Sequence, residues 1–412
     1  MRALRFICRI LLGLVFIFSG FVKGIDPMGS AIKFSEYFSA FHLGFLGNFS
    51  LLFSVLLASA EFIIGIALLL GLRMKIASWA VFLFMSFFTI LTLILALTNP
   101  VSDCGCFGDA IKLTNGQTFL KNVVLMVPVM MVFLSRNKFP VRYKPFGEWV
   151  TLGILYIGIL LVIRYCYFYL PVIDFLPYRT GTNIPRAMEI PEGAPQDEYE
   201  TILYYQKDGV TKEFTLENYP WQDSTWKWVD TKTILIKKGY EPPIHDFRFT
   251  DPDGNDITDR ILYDTKYVFL LISPNVQKAN VAGILKAKAL ADFCNGGNCS
   301  FYALTASPIS EIRQFTEKNN PGFPFYHADE TTLQTMIRSN PGLMLIKDGT
   351  IVAKWSYREF PEAERLKNDI LGYAVTYYRE KRESLTKTIL ILTLLLTLAV
   401  IKILQLNFDR RD

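Results

Sequence analysis

The sequence predicts an α-helical membrane bundle of six spans joined to an extracytoplasmic α/β domain. Three observations carry that reading. Hydrophobic residues make up 51% of the 412, and six runs approach the roughly 20 apolar residues needed to cross a bilayer core. Basic residues gather in alternate connecting loops. Between the fifth and sixth runs the composition turns abruptly to charged and turn-rich sequence, enough for one large or two small domains. The formal charge of +5 is placed mostly beside apolar runs, so it reads as a topology signal toward membrane lipids, with no nucleic-acid partner implied.

The six runs cover residues 6–22, 49–72, 76–97, 119–134, 149–170 and 388–406. The fourth is short and carries Pro128, which predicts a kinked or thinner span. The first follows Arg2, Arg5 and Arg9 in the manner of a signal peptide, but no small-x-small cleavage site follows Ser19-Gly20, so it reads as a span. Arg73 and Lys75 lie between runs two and three. Arg136, Lys138, Arg142 and Lys144 lie between runs four and five, and Arg410 and Arg411 follow run six. Alternate loops therefore agree, placing both termini in the cytoplasm. Residues 23–48, 98–118 and about 171–387 then share the opposite compartment.

The region from about 171 to 243 opens as a proline-rich linker (Pro171, Pro177, Pro185, Pro191, Pro195). It continues as a hairpin, 201–206 and 211–216 about a turn at Asp208-Gly209. Trp221, Trp226 and Trp228 read more readily as a packed lid over a small sheet than as a ligand platform. From 244 to 380 strands alternate with helices: strands at 267–273, 300–305, 343–347 and 350–355, helices at 279–294, 310–319 and 331–339.

The segments "FRFTDPDGNDIT", "YVFLLISPNV" and "RSNPGLMLIKDGTIVAKW" resemble the thioredoxin-like fold of thiol-disulfide interchange proteins and peroxiredoxins. The resemblance covers about 135 residues and places Pro341 at the family's cis-proline, where the chain would offer an extended edge for a docking peptide. One departure is chemical. Where the family carries Cys-x-x-Cys, this chain reads Ser273-Pro274-Asn275-Val276. Cys294 and Cys299 lie elsewhere, in "CNGGNC", whose glycines allow the approach a disulfide requires. That pair reads as a structural staple before a redox couple, and the domain as a binding or docking module.

The sharpest chemical motif is "NPVSDCGCFGDAIKL", residues 99–113. Cys104 and Cys106 stand one residue apart and can close only a tight ring, the kind of disulfide that is readily reduced. Gly105 and Gly108 let the backbone turn, and a following helix N-terminus favours thiolate. Redox exchange is favoured over a structural bridge, and both over a metal site, because His42, His245 and His327 are the only histidines and none is at ligand spacing. Glu61 is a carboxylate within an apolar span, costly unless it pairs, faces the bundle interior or is protonated. It reads as a proton relay or polar clasp. Lys23 and Asp26, at the end of the first span, are candidates to line the same cleft or dock a partner. Their plain alternative is a snorkelling lysine and a helix-ending Asp-Pro. Arg164, Tyr165, Tyr167 and Tyr169 read as interfacial anchors, and Cys8 as an inert thiol facing the cytoplasmic side or lipid.

"RFICRILLGLVFIFSGFVKGIDP", "AEFIIGIALLLGLRMK" and "DCGCFGD" resemble the DoxX and MauE families of four-helix membrane proteins, over about residues 1–135. The resemblance implies that Cys104, Cys106 and Glu61 belong to redox chemistry. MauE-type members are linked with maturation of disulfide-containing periplasmic proteins, including a methylamine dehydrogenase subunit. DoxX-type members are linked with quinone-linked oxidation, so quinone is the electron carrier implied. The pairing with a thioredoxin-like domain looks like a form common in Bacteroidetes.

Together these expectations describe a multi-pass protein of the bacterial inner membrane. Its domains are a membrane domain at 1–135, a cytoplasmic loop and fifth span at 136–172, a β-rich region at 173–243, a thioredoxin-like domain at 244–380 and a last span at 386–407. It would be a thiol-disulfide oxidoreductase acting on a periplasmic client protein. The competing reading is a non-catalytic assembly factor bound to membrane-complex subunits.

Overall fold

The computed structural model describes residues 2–101, 103–140, 143–237, 239–297 and 299–406. Arg142, Arg410 and Arg411, used above for orientation, lie outside them. The chain divides into two compact units, one joining Met1–Gly181 with Arg248–Asp412 and the other Thr182–Phe247.

In the first unit the membrane bundle comprises α1 (Arg2–Ile25), α2 (Pro27–Ala40), α3 (Ser50–Leu70), α4 (Met74–Thr98), α5 (Asn115–Leu134) and α6 (Pro145–Phe168). All but α2 are long and apolar enough to cross a membrane. Helix ends follow local chemistry. Gly71, at φ +74°, closes α3 in the left-handed conformation that glycine adopts freely. Thr114 and Gln117 start α5 with a reciprocal capping box. Pro128 sits inside an uninterrupted α5.

The segment 23–48, expected as a loop, contains the helix α2. Its start follows capping chemistry, with Asp26 accepting from the Gly29 N–H at 2.8 Å and Pro27 in the first turn. Its mixed composition hid it from a search for apolar spans. Leu12, Phe16, Leu68, Val81, Val129 and Val132 are buried at the bundle core.

The α/β part of this unit runs β4 (Phe249–Thr250), α8 (Thr258–Leu262), β5 (Tyr267–Ile272), α9 (Val281–Asn295), β6 (Cys299–Thr305), α10 (Ile309–Asn319), β7 (Phe325–Ala328), α11 (Glu330–Met336), β8 (Gly342–Lys347), β9 (Thr350–Ser356) and α12 (Ala363–Leu366), and ends in α13 (Ile370–Leu406). The sheet order is β4-β7-β6-β5-β8-β9, with β5, β6 and β7 parallel and β8 and β9 antiparallel. Strand β7 was not expected, since four residues are too few to show a period. The Asn340–Pro341 peptide is cis, as the thioredoxin-like resemblance implied. Cys294 and Cys299 form a disulfide from the end of α9 to the start of β6, with Cα atoms 4.7 Å apart.

The last helix begins at Ile370, well before the expected 388. Its first turns belong to the α/β core: Ala374 is buried, the Tyr377 ring lies 5.9 Å from that of Trp355, and Lys381 pairs with Glu359. A search for apolar runs sees only the membrane half of such a helix.

The second unit holds α7 (Ile184–Met188) and a sheet of β1 (Glu198–Lys207), β2 (Val210–Thr215) and β3 (Lys227–Lys237), in the order β2-β1-β3. Asp208 and Gly209 make the expected hairpin turn, both at positive φ. The tryptophan lid does not form. Trp221 is 71% exposed and Trp228 60%, while Trp226 packs edge-on to Phe214 at 5.2 Å. Strand β3 is exposed along its whole length, so among the described residues no second layer exists for the other rings to cover.

Candidate functional site

The loop between α4 and α5 is held by α1 and α2, distant in sequence, and by α5, which follows it. Gly105, at φ +62°, turns the chain between Cys104 and Cys106, and the Gly108 N–H donates to the Gly105 carbonyl at 3.0 Å. From α1, Ser19 Oγ donates to the Cys106 carbonyl at 2.8 Å and Lys23 Nζ donates to the same oxygen at 2.6 Å. From α2, Tyr37 donates to the Cys104 carbonyl at 2.7 Å, and Lys33 pairs with Asp103 at 3.1 Å. From α5, Lys121 lies over the Phe107 ring at 4.3 Å.

Both cysteines keep free thiols, with sulfurs 2.9 Å apart. The two are made unequal by their surroundings. Either sulfur can donate in this contact; with Cys104 as donor, and with Lys121 and Lys23 nearby, the Cys106 thiol is lowered to about 6 against the opposing effect of burial. The same hydrogen bond and burial push Cys104 well above the usual thiol range. Cys106 is therefore mostly thiolate at neutral pH. Its alkylation is expected to rise through about pH 6 and level off above it, read by mass spectrometry of the Cys106 peptide. A midpoint near the ordinary thiol value of about 8.5 would show that the loop does not activate it.

Glu61 finds its partner in Lys23, whose Nζ lies 2.8 Å from both carboxylate oxygens. Each side chain is only 6% exposed. The ammonium also donates to Ser19 Oγ at 2.8 Å, so it is satisfied by a carboxylate, a hydroxyl and the Cys106 carbonyl. This links the buried ion pair directly to the thiol loop.

Asp26 departs from expectation. It does not join Glu61 but turns to the other side of α1, where Arg338 donates Nε to Asp26 at 3.0 Å and an Nη to Asp109 at 2.8 Å. Pro341 is buried beside Gly283, so it presents no free edge to a peptide. The position where the family's thiols would stand is filled by hydrogen bonds, Ser273 Oγ to Asn340 at 2.7 Å and Asn340 Nδ2 to the Asn275 carbonyl at 2.8 Å. Among the described residues no group of His, Cys, Asp or Glu is arranged to hold a metal. Cys8 lies against Met131, sulfur to sulfur 3.6 Å, between α1 and α5, and Cys166 is buried in α6.

A cavity of about 300 Å³ adjoins the thiols. Lys23, Glu61, Tyr37 and Lys121 line its polar end, and Phe34, Phe84 and Phe88 are among its apolar walls. Phe87 also lines it while standing 62% exposed on α4, so the cavity reaches the outward face of the bundle. Sequence reading missed Ser19, Lys33, Tyr37 and Lys121. The i, i+4 spacing of Ser19 with Lys23, and of Lys33 with Tyr37, was the available signal that each pair shares a helix face.

Residues 1–135 match the family described as Methylamine utilisation protein MauE, and residues 199–238 match a family described only as a domain of unknown function. No curated protein matches the chain. Solved structures similar to it include one from Bacteroides thetaiotaomicron provisionally called a protein disulfide isomerase, 17% identical over 33% of this chain and 91% of that one, with a TM-score of 0.25. Peroxidoxin BcpB from Mycobacterium tuberculosis is 14% identical over 32% and 94%, with a TM-score of 0.25. A secreted Mycobacterium tuberculosis disulfide oxidoreductase homologous to E. coli DsbE is 13% identical over 32% and 96%, with a TM-score of 0.23. The α/β part is identified by its own strand order and by the cis peptide at Pro341. The chain thus joins a membrane region that matches the MauE family over residues 1–135 to an α/β domain with a thioredoxin-like strand order.

Proposed function

We propose that this is an inner-membrane thiol-disulfide redox protein in which Cys104 and Cys106 form the exchanging pair, serving the oxidation or maturation of periplasmic proteins. The observation that carries the reading is the placement of the Cys104 and Cys106 sulfurs 2.9 Å apart, in a loop bonded to the buried Lys23–Glu61 pair. In the oxidised form a client thiolate attacks the Cys106 sulfur, breaking the Cys104–Cys106 bond and forming a mixed disulfide. The client's second thiol then displaces Cys106, whose low pKa makes it a good leaving group. The client gains a disulfide and the pair is left reduced by two electrons.

Reoxidation needs a two-electron acceptor, for which a membrane quinone fits the apolar cavity reaching the bundle's outer face. A quinone held there would supply the two-electron oxidation of the dithiol, and the two thiol protons would have to leave the loop. Glu61 and Lys23, at the polar end of that cavity, are the groups suited to handle them. The alternation of basic loops supports a periplasmic location for the thiols and for the thioredoxin-like domain. A second reading, a non-catalytic assembly factor, draws on the Ser273–Asn340–Asn275 network that occupies the usual thiol position.

Thiol trapping separates the two. Cys104→Ser is expected to accumulate a mixed disulfide through Cys106, visible as a reductant-sensitive adduct, and Cys106→Ser to accumulate none. A pair found permanently oxidised in cells, with no adduct in either variant, would sink the exchange reading and leave assembly.

A further inference from the structure

Arg338 belongs to the thioredoxin-like domain, yet its guanidinium, 7% exposed, is bonded to the membrane bundle. It is held from behind by its own domain, donating to the Gln334 carbonyl at 2.6 Å. Its two carboxylate partners are Asp26, at the start of α2, and Asp109, three residues after Cys106. Asp26 uses one oxygen to cap α2 and the other to receive Arg338. From that fixed end, α2 delivers Lys33 to Asp103 and Tyr37 to the Cys104 carbonyl. Asp109 lies in the 3-10 turn Gly108–Ala110, immediately after Cys106 and Phe107, and receives the other arm of the same guanidinium.

From this geometry we infer that Arg338 is a positioning residue for the Cys104–Cys106 pair: the thioredoxin-like domain, without exchanging thiols of its own at the usual place, sets the geometry of the thiols in the membrane region. A planar guanidinium suits the task, since its fixed fork can hold two carboxylates at a defined separation where a lysine ammonium would act as a point charge. The second ion pair between domain and bundle provides a comparison. Lys354 on β9 bonds Asp174, after α6, at 2.7 Å. It feels the charges of Asp26 and Arg338, but its hydrogen bond goes to Asp174 and not to Asp26 or Asp109. The role assigned to Arg338 rests on the exchange reading for its purpose, but not for its test.

The test measures the pH midpoint of Cys106 alkylation in the full chain, reconstituted in lipid and reduced, by mass spectrometry of the Cys106 peptide. Greater exposure of the loop would lower the midpoint, because burial raises this thiol, so a rise is not an effect of exposure. The charged and titratable groups facing Cys106 include Cys104, Lys121 from α5, Lys23 from α1, Glu61 from α3 and Tyr37 from α2, none of which is altered. Arg338→Gln is expected to raise the midpoint by about one unit, a tenfold lower thiolate-to-thiol ratio at a given pH, as the Cys104 hydrogen bond loosens. Asp109→Asn should do the same without touching the domain, and the two changes together should add little beyond either. Arg338→Lys should recover part of the shift and Lys354→Gln should leave the midpoint in place. An unmoved midpoint in Arg338→Gln, an equal shift in Lys354→Gln, or an ordinary thiol midpoint in the unaltered protein would each overturn the inference. A shifted midpoint in a protein that forms no mixed disulfide would keep the positioning role and sink the exchange reading.

Discussion

Lys23→Met is expected to cost the bundle about 3–5 kcal/mol, the range for removing one partner of a buried ion pair and leaving the other uncompensated. The carboxylate left behind is Glu61, in the middle of α3, with both oxygens 2.8 Å from the lost ammonium. The Cys106 carbonyl would keep only Ser19 as a side-chain donor. The loss should appear as a large fall in the thermal transition of the detergent-solubilised protein. Glu61→Gln should cost less, because an amide oxygen still accepts from Lys23. The double change Lys23→Met with Glu61→Leu should recover most of the stability, since replacing both members of a buried pair by apolar groups is often close to neutral. It should also bring the Cys106 alkylation midpoint back toward that of the unaltered protein, because Lys23 lowers that thiol and Glu61 raises it, and the double change removes both. A loss below about 0.5 kcal/mol in Lys23→Met, the size of an ordinary surface change, would show that the pair is solvated and contradict its burial.

The division between what the sequence makes legible and what it hides follows the range of the interactions. Spans, the hairpin at Asp208-Gly209 and the α/β alternation depend on periods of a few residues, and these are local. The cost of Glu61 within an apolar run is local too, which is why it stands out from its neighbours in the chain alone. Its partner is not local: Lys23 lies 38 residues away, and nothing in either helix distinguishes it from a snorkelling lysine. Asp26 illustrates the opposite error. Its place with Lys23 at the outer end of the first span argues for a shared cleft, but it stands beyond the end of α1 and bonds Arg338, 312 residues away. No pattern spans such a distance in a single chain. Elements were missed where composition and period disagree, as in α2, whose polar face carries Lys33 and Tyr37, and in the first turns of α13, where aromatic and charged residues serve the α/β core before the same helix becomes apolar.

Gly20→Val is expected to disrupt the α1–α3 contact on which the Lys23–Glu61 pair depends. A Cβ at Gly20 would lie 2.5 Å from the Phe62 nitrogen, 2.6 Å from the Ala58 carbonyl oxygen and 2.9 Å from the Phe62 Cα. All three are backbone atoms of α3, so no side chain can yield and the helices must separate. The contact is reciprocal, since a Cβ at Gly65 would meet the Ile17 nitrogen at 2.6 Å and the Gly13 carbonyl at 2.8 Å. Small residues at such crossings let membrane helices pack backbone to backbone, where dispersion is the main attraction available. Overpacking a tight site costs about 1–3 kcal/mol and sometimes more. Here a further loss follows, because Lys23 is three residues beyond Gly20 and Glu61 one residue before Phe62, so separation at the crossing stretches the ion pair. Gly116→Ala is the matched control, with no atom within 4 Å of the added carbon, and should leave the thermal transition in place. If Gly20→Val melts with the control, α1 and α3 are not in backbone contact, and the 2.6 Å bond from Lys23 to the Cys106 carbonyl loses the scaffold that aims it.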